Sequence, residues 1–193
     1  MTRATTYLAV ALLAATPLLA QQALPVRQAV PVQPARAASV DTAGLEFHGF
    51  RTGEHLAELA QQLRAIDGGS LRCVSAKKDP RVTECRGALT HPALGGPVQI
   101  WLSAIDSITG ILTLSGEVAP DQLDAWRSAL EARYGRVGAK VEGPQWMMQW
   151  IRQGRMIRLT WRIQRGEKVA SVALVDGRVL DAWGRERARR ASS

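Results

Sequence analysis

Cys73 and Cys85 are the residues whose type and spacing carry the most definite chemistry in this chain. They are its only two cysteines and stand 12 residues apart. In an oxidising compartment such a pair usually forms a disulfide, and closing this short loop would stabilise the fold by about 2–3 kcal/mol. Two buried free thiols, or redox or metal chemistry, are the alternatives; a metal site would need further ligands.

The three histidines offer a second kind of chemistry. His48 and His55 flank the start of a predicted helix, and either would act as a general base if a nucleophile such as Ser103 or Ser115 lay beside it. No third group in the sequence orients them, which favours surface or capping roles, and His91 is interpreted in the same way. Their spacing matches no metal-binding pattern, so we expect no metal site and no cofactor.

Catalytic motifs of fixed spacing are absent from the sequence. It contains no G-x-S-x-G, no H-E-x-x-H, no P-loop and no dinucleotide fingerprint. Asp121 and Asp124 could form a carboxylate pair, but their place in the first turn of a predicted helix favours interaction with the helix dipole. Asp106, Asp176 and Asp181 are interpreted as turn or strand-edge residues. The sequence therefore predicts a protein that is not an enzyme.

The N-terminal segment 1–20 is typical of a secretory signal. Arg3 supplies a positive start, an uncharged apolar stretch follows, and Ala20 is the expected cleavage residue. A buried N-terminal helix is the alternative. No later segment reaches membrane-spanning length, so we expect no transmembrane span. Together with the cysteine pair, this segment predicts a periplasmic or secreted protein.

Charge is distributed unevenly along the chain. The net charge is +8, but much of it lies near the ends, and the body 45–184 is close to balanced. Residues 21–44 are rich in Pro, Ala and Gln and predict a flexible linker. Residues 185–193 are arginine-rich and predict a disordered basic tail, capable of weak contact with an anionic surface. No basic face is concentrated in the body, so a nucleic-acid partner is not expected.

Two helices and several strands account for the body of the chain. Thr52 is a plausible N-cap for a helix over 53–66, and Pro120 begins a second helix that ends at Gly135. Strands at 71–76 and 82–89 flank a turn centred on Asp79, which places the two cysteines opposite each other. Strands at 98–105 and 111–116 form another hairpin. A last short segment after the turn at Asp176 and Gly177 ends at Trp183.

The hairpin around Gln153 and Gly154 predicts the clearest register. It pairs three sets of large apolar residues on one face, which we expect to be the core. These pairs are Trp150 with Ile157, Met148 with Leu159, and Trp146 with Trp161. Ala170, Val172 and Leu174 of the next strand join this face. The opposite face combines apolar and basic side chains and is the predicted partner-binding surface. Its residues are Met147, Gln149, Ile151, Met156, Arg158 and Arg162.

Each half of the body, 45–117 and 118–184, reads as a helix followed by strands. This order predicts an α+β domain, with two helices packed on an antiparallel sheet and a possible tandem α-β-β-β(-β) repeat. Phe47-x-Gly49-Phe50-x-x-Gly53, followed by an amphipathic helix that ends in glycines and then a sheet, resembles exported modules of the β-lactamase-inhibitor-protein and outer-membrane-assembly-lipoprotein type. Those modules also occur as tandem repeats, and the resemblance implies non-enzymatic protein binding through a sheet face.

Three functions remain open at this point. The first is an exported interaction module whose partner is an envelope or secreted protein or a second copy of the chain. The second is a carrier of a small molecule or lipid, with a tryptophan-lined cavity between helix and sheet. The third is a hydrolase that uses His48 or His55.

Overall fold

The computed structural model describes residues 44–66 and 69–192 of the chain. The predicted signal segment and nearly all of the predicted linker lie outside the described residues. The described residues form an α+β fold, in which an eight-stranded antiparallel sheet and a two-stranded sheet combine with three helices. No helix in this part of the chain is long and apolar enough to cross a membrane.

Along the chain, helices alternate with runs of antiparallel strands. The helices are α1 (Leu56–Ala65), α2 (Pro120–Tyr134) and α3 (Gly177–Ala191). The strands of the first half are β1 (Glu46–Phe47), β2 (Phe50–Arg51), β3 (Arg72–Ala76), β4 (Asp79–His91), β5 (Gly96–Ile105) and β6 (Ile108–Glu117). The strands of the second half are β7 (Lys140–Glu142), β8 (Gln145–Arg152), β9 (Arg155–Gln164) and β10 (Glu167–Asp176).

The large sheet joins the two halves of the chain through its two central strands. Its order is β3-β4-β5-β6-β10-β9-β8-β7, so each half contributes four consecutive strands and β6 pairs with β10. Each set of four follows its own helix, α1 or α2. The layout is therefore that of the tandem helix-plus-sheet arrangement predicted from the sequence.

The core lies between one face of this sheet and the helices α1 and α2. Apolar residues at helical spacing, such as Leu59 and Leu63 of α1 and Trp126 and Leu130 of α2, are fully buried. Alternate residues of the strands pack against these helix residues, because successive side chains of a strand point to opposite faces of the sheet. These strand residues include Ile100, Leu102, Leu112, Leu114, Val172 and Leu174.

Helix α3 corrects the prediction for the C-terminal part of the chain. A turn, a short segment and a disordered tail were expected, but a helix runs from Gly177 to Ala191. The carboxylate of Asp176 accepts a hydrogen bond from the backbone N–H of Arg178, so Asp176 caps a helix instead of forming a hairpin turn. The helix then reaches into residues 185–191, where the charged side chains form contacts described below.

Three local features of the first half also differ from the prediction. Helix α1 begins at Leu56 with His55 as its N-cap, each three residues later than the predicted start at residue 53 and the predicted N-cap Thr52. Thr52 is instead buried. The segment Glu46–Arg51 forms the β1–β2 hairpin. Between β3 and β4 a β-bulge at Ser75 and Ala76 shortens the turn, yet it preserves the predicted pairing of the cysteines.

Candidate functional site

The β8–β9 hairpin has the register that the sequence predicts. Trp150 lies opposite Ile157, Met148 opposite Leu159 and Trp146 opposite Trp161. Gln153 and Gly154 form the two-residue turn, with φ of 48° and 73°, which is the left-handed geometry that such hairpin turns require. The register therefore assigns alternate residues of both strands to opposite faces of the sheet.

One face of this hairpin is core, except at the Trp146–Trp161 pair. Met148, Trp150, Ile157 and Leu159 are buried. The prediction that Trp146 belongs to the core is wrong, because its side chain is 40% exposed. On its outer side Trp146 has only the three-residue edge strand β7 as a neighbour. Its indole instead stacks on that of Trp161, with ring centroids 6.3 Å apart, at the margin of the core.

The opposite face carries all six residues of the predicted partner-binding surface. Met147, Gln149, Met156 and Arg158 are half-buried, whereas Ile151 and Arg162 are exposed. The strand pairing brings four of the six side by side, since Gln149 lies opposite Arg158 and Ile151 opposite Met156. We call this side of the large sheet, which α1 and α2 do not cover, the open face.

Two arginines of the open face, Arg158 and Arg162, are held by neutral groups. Arg158 donates from Nε and Nη2 to Oε1 of Gln149, at 2.9 and 2.7 Å. Arg162 donates from the same two nitrogens to Oε1 of Gln164, at 3.3 and 2.9 Å. A glutamine amide fixes a guanidinium in place without cancelling its charge. Both arginines are thus oriented cations, suited to bidentate contact with a carboxylate.

The open face continues into the first half of the chain through the β6–β10 pairing. Directly opposed residues form one row across seven strands, and a second row lies beside it. The first row is Arg72, Arg86, Trp101, Thr113, Ala173, Arg158 and Gln149. The second row is Val74, Glu84, Ser103, Ile111, Val175, Met156 and Ile151. No side chain of either row is fully buried.

The two rows differ in chemistry. The first contains three arginines and Trp101, and the second is mainly aliphatic. Arg72 and Arg86 lie directly opposite each other, a like-charge pairing that costs stability. Neither forms an ion pair within the described residues, so their charges remain available to a partner. The open face therefore combines apolar area with uncompensated positive charge.

One end of the open face deepens into a groove of about 580 Å³. Its lining is mixed, and it includes polar side chains that project from β5, β6 and β9. The lining includes Pro97, Gln99, Ser115, Glu117, Gln164 and Val169. Gln164, which holds Arg162, thus also borders this groove.

The predicted disulfide between Cys73 and Cys85 is present, and it fastens the edge strand β3 to β4. Cys85 is buried within the core cluster, and Cys73 lies opposite it at the exposed edge. Neither cysteine is available for metal binding in this form. The bond secures the edge that carries Arg72 and Val74 of the open face.

The histidines are not brought together as a catalytic group. Burial lowers the pKa of His48, and the nearby His91 lowers it further. His55 caps α1, and its backbone N–H donates to Glu58 at 3.3 Å. Within the described residues, no hydrogen bond joins a histidine to Ser103 or Ser115. The described residues also contain no cluster of three or more potential metal ligands.

Asp176 forms a buried ionic cluster at the start of α3 that the sequence interpretation missed. Its side chain is fully buried and lies 2.9 Å from Nε of Arg155 and 2.8 Å from Nη2 of Arg178. Burial raises the pKa of Asp176, but hydrogen bonds from Arg178 and Arg155 outweigh it and bring the pKa to about 2. The only signal in the sequence was an aspartate that interrupts a buried strand pattern at its end.

A second groove, of about 550 Å³, lies between α3 and the nearby end of the sheet. Ile105, Ile108 and Val179 contribute apolar area, and Arg81 and Asp106 form a bidentate ion pair at its rim. All of its charged rim residues except those of α3 itself come from strand ends and turns.

Comparison with known proteins adds no assignment to this geometry. The chain matches no known family model, no curated protein and no solved structure.

Proposed function

We propose that this protein is an exported, non-catalytic interaction module that binds another protein of the cell envelope, or a second copy of itself, through the open face. The observation that carries the proposal is the arrangement of Arg158 on Gln149 beside Met156 and Ile151. Methionine and arginine are enriched at protein interfaces, and an exposed apolar patch with oriented charges is characteristic of them.

The charge of the open face supports a partner with acidic side chains. Arg158 and Arg162 lie four residues apart on one strand, which corresponds to about 13 Å. Two carboxylates at a similar separation would each find an oriented guanidinium. Arg72 and Arg86 extend the same preference to the far side of the sheet. The disulfide supports export, because such bonds persist in oxidising compartments.

The test uses a double substitution on the open face. Met156→Ala with Arg158→Ala removes the centre of the apolar and basic patch while leaving the buried face of β9 unchanged. We expect the variant to lose retention of its partner in a pull-down from the exported compartment, because truncating central interface residues costs about 2 kcal/mol or more each. Its thermal unfolding should stay close to that of the wild type.

The matched control is Arg136→Ala. Arg136 is exposed, and no hydrogen bond or ion pair is described for its side chain. It removes one charge outside the open face and should leave retention unchanged. Equal retention by the double variant and the wild type would contradict the proposal. Analytical ultracentrifugation of the purified protein then distinguishes a second copy from a different partner.

A further inference from the structure

Helix α3 is held on the fold by polar contacts made by one of its sides. The indole Nε1 of Trp183 donates to Oδ2 of Asp79 at 2.8 Å. Oε2 of Glu186 lies 2.9 Å from Nη2 of Arg81 in β4. Oε1 of Glu186 accepts a hydrogen bond from Nη2 of Arg190 at 2.6 Å. Between Gly177 and Arg190, no residue of the helix is fully buried. These contacts fix which side of α3 faces the protein and which faces solvent.

The solvent side of α3 presents a stripe of arginines. Arg178, Arg185 and Arg189 follow at spacings of seven and four, which places them within an arc of about 40° on the helix. The stripe is about 16 Å long. Arg178 is bound to Asp176, but Arg185 and Arg189 form no ion pair within the described residues. Two like charges at a spacing of four repel each other.

The tertiary fold places two lysines at the same end of the protein as α3. Lys77 and Lys78 form the β3–β4 turn and immediately precede Asp79, the residue that receives the Trp183 hydrogen bond. Neither lysine has an ion pair within the described residues. Lys77, Lys78, Arg185 and Arg189, from two distant parts of the sequence, therefore lie at one end of the fold. Asp181, which is exposed, is the acidic residue of α3 that no described ion pair neutralises.

This basic end differs from the open face in having no apolar centre. The large exposed hydrophobic residues lie elsewhere, and none of them belongs to α3 or to the turn. They are Val74, Val141, Trp146, Ile151 and Ile163. A protein interface usually has an apolar centre that carries most of its binding energy. A broad array of long cationic side chains without such a centre fits the diffuse negative field of a lipid surface instead.

We infer that the basic end, formed by α3 and the Lys77–Lys78 turn, binds reversibly to the surface of a bilayer that contains anionic lipid. The contact is electrostatic and involves no insertion, because the apolar residues Val179, Leu180 and Trp183 are half-buried on the protein side. None of the six residues of the predicted partner-binding surface belongs to α3 or to the turn, so the protein would bind its partner while it remains at the membrane surface.

The experiment is co-sedimentation of the full chain with two kinds of vesicles, phosphatidylcholine alone and phosphatidylcholine mixed with phosphatidylglycerol. We expect binding only to the mixed vesicles, and binding that falls as salt shortens the screening length. Each cation near the surface contributes about a fivefold increase in partitioning, so Arg185→Gln with Arg189→Gln should lower it about 30-fold.

The matched control removes two exposed arginines that lie elsewhere, with Arg136→Gln and Arg165→Gln. The net charge falls equally, but partitioning should change little. An equal loss in both double variants would show a non-specific effect of net charge and overturn the inference. Binding to phosphatidylcholine alone, or to neither vesicle, would also overturn it, as would retention by an acidic protein instead of by vesicles.

A second variant protects the test against a folding defect in α3. Lys77→Gln with Lys78→Gln leaves the helix intact and should also lower partitioning about 30-fold. Unchanged binding of this variant would contradict the inference. The open-face variant Met156→Ala with Arg158→Ala should bind vesicles like the wild type, so failure of the membrane site and failure of the proposed function are separate results.

Discussion

Replacement of Asp176 by asparagine tests the physical reasoning about the fold most sharply. Asp176 has no exposed side-chain surface, and it binds Arg155, whose side chain is 16% exposed, and Arg178, whose side chain is 55% exposed. Asparagine keeps the size of the side chain and removes its charge. Arg155 would then remain in a nearly buried position without a counter-charge.

The pKa of Asp176 gives the expected magnitude. It falls from an ordinary value of 3.8 to about 2 in the folded protein, and one pKa unit corresponds to about 1.4 kcal/mol. The ionised carboxylate therefore contributes about 2–3 kcal/mol to the free energy of unfolding at neutral pH. This is below the loss of about 3–5 kcal/mol for a fully buried pair, because water can still solvate Arg178.

The sign of the pH dependence follows from the lowered pKa. Above about pH 4, Asp176 is ionised in both states and the full contribution is present. As the pH falls from about 4 to about 2, the unfolded state takes up the proton first and the contribution is lost. The difference in stability between wild type and Asp176→Asn should therefore shrink across this range.

Urea unfolding followed by tryptophan fluorescence measures the difference at several pH values. The control is Asp124→Asn, which removes an exposed ion pair with Arg127 at 3.3 Å and should cost about 0.5 kcal/mol or less. Equal stability of Asp176→Asn and wild type at neutral pH would refute the reasoning. A difference that persists undiminished near pH 2 would refute its electrostatic basis.

Two further substitutions test the disulfide and the approach of the backbone to Asp176. Replacing Cys73 and Cys85 together by alanine should lower the free energy of unfolding by about 2–3 kcal/mol, measured by urea unfolding against the oxidised wild type; a difference below the measurement error would contradict this. Gly53→Ala should cost about 2 kcal/mol, since Gly53 has a φ of +88° and an added Cβ would lie 2.8 Å from Oδ2 of Asp176. Gly138→Ala is its control, because no atom lies within 4 Å of the added Cβ, and equal thermal stability of the two variants would count against the steric argument.

Local patterns were sufficient to predict the β3–β4, β5–β6 and β8–β9 hairpins. The two-residue turn at Gln153 and Gly154 fixes the register of β8 and β9, and the alternation of apolar residues then decides which face is buried. The same logic holds for Cys73 and Cys85, although a bulge beside the turn contributes to their pairing. Short-range turn chemistry and alternation therefore account for the part of the site that the sequence predicted.

Long-range pairing and helix capping were beyond these patterns. The pairing of β6 with β10 extends the open face to Trp101 and Arg86. Because no turn joins these two strands, no local sequence pattern predicts that they pair. Helix α3 depends on the cap at Asp176 and on contacts with residues about 100 positions earlier, such as Asp79 with Trp183. The arginine-rich composition of residues 185–193 indicated a solvated tail, because composition does not show which acidic residues the arginines contact in the fold.

Site-specific photo-crosslinking from the open face tests the proposed function most directly. A photoreactive residue at Thr160, at the centre of β9 on the open face, is compared with one at Ser128, which is exposed on α2 on the opposite side of the sheet. The proposal predicts a defined covalent adduct from position 160, its loss when Arg158→Glu is added, and none from position 128. Adducts of equal yield from both positions, or from position 128 alone, would contradict it.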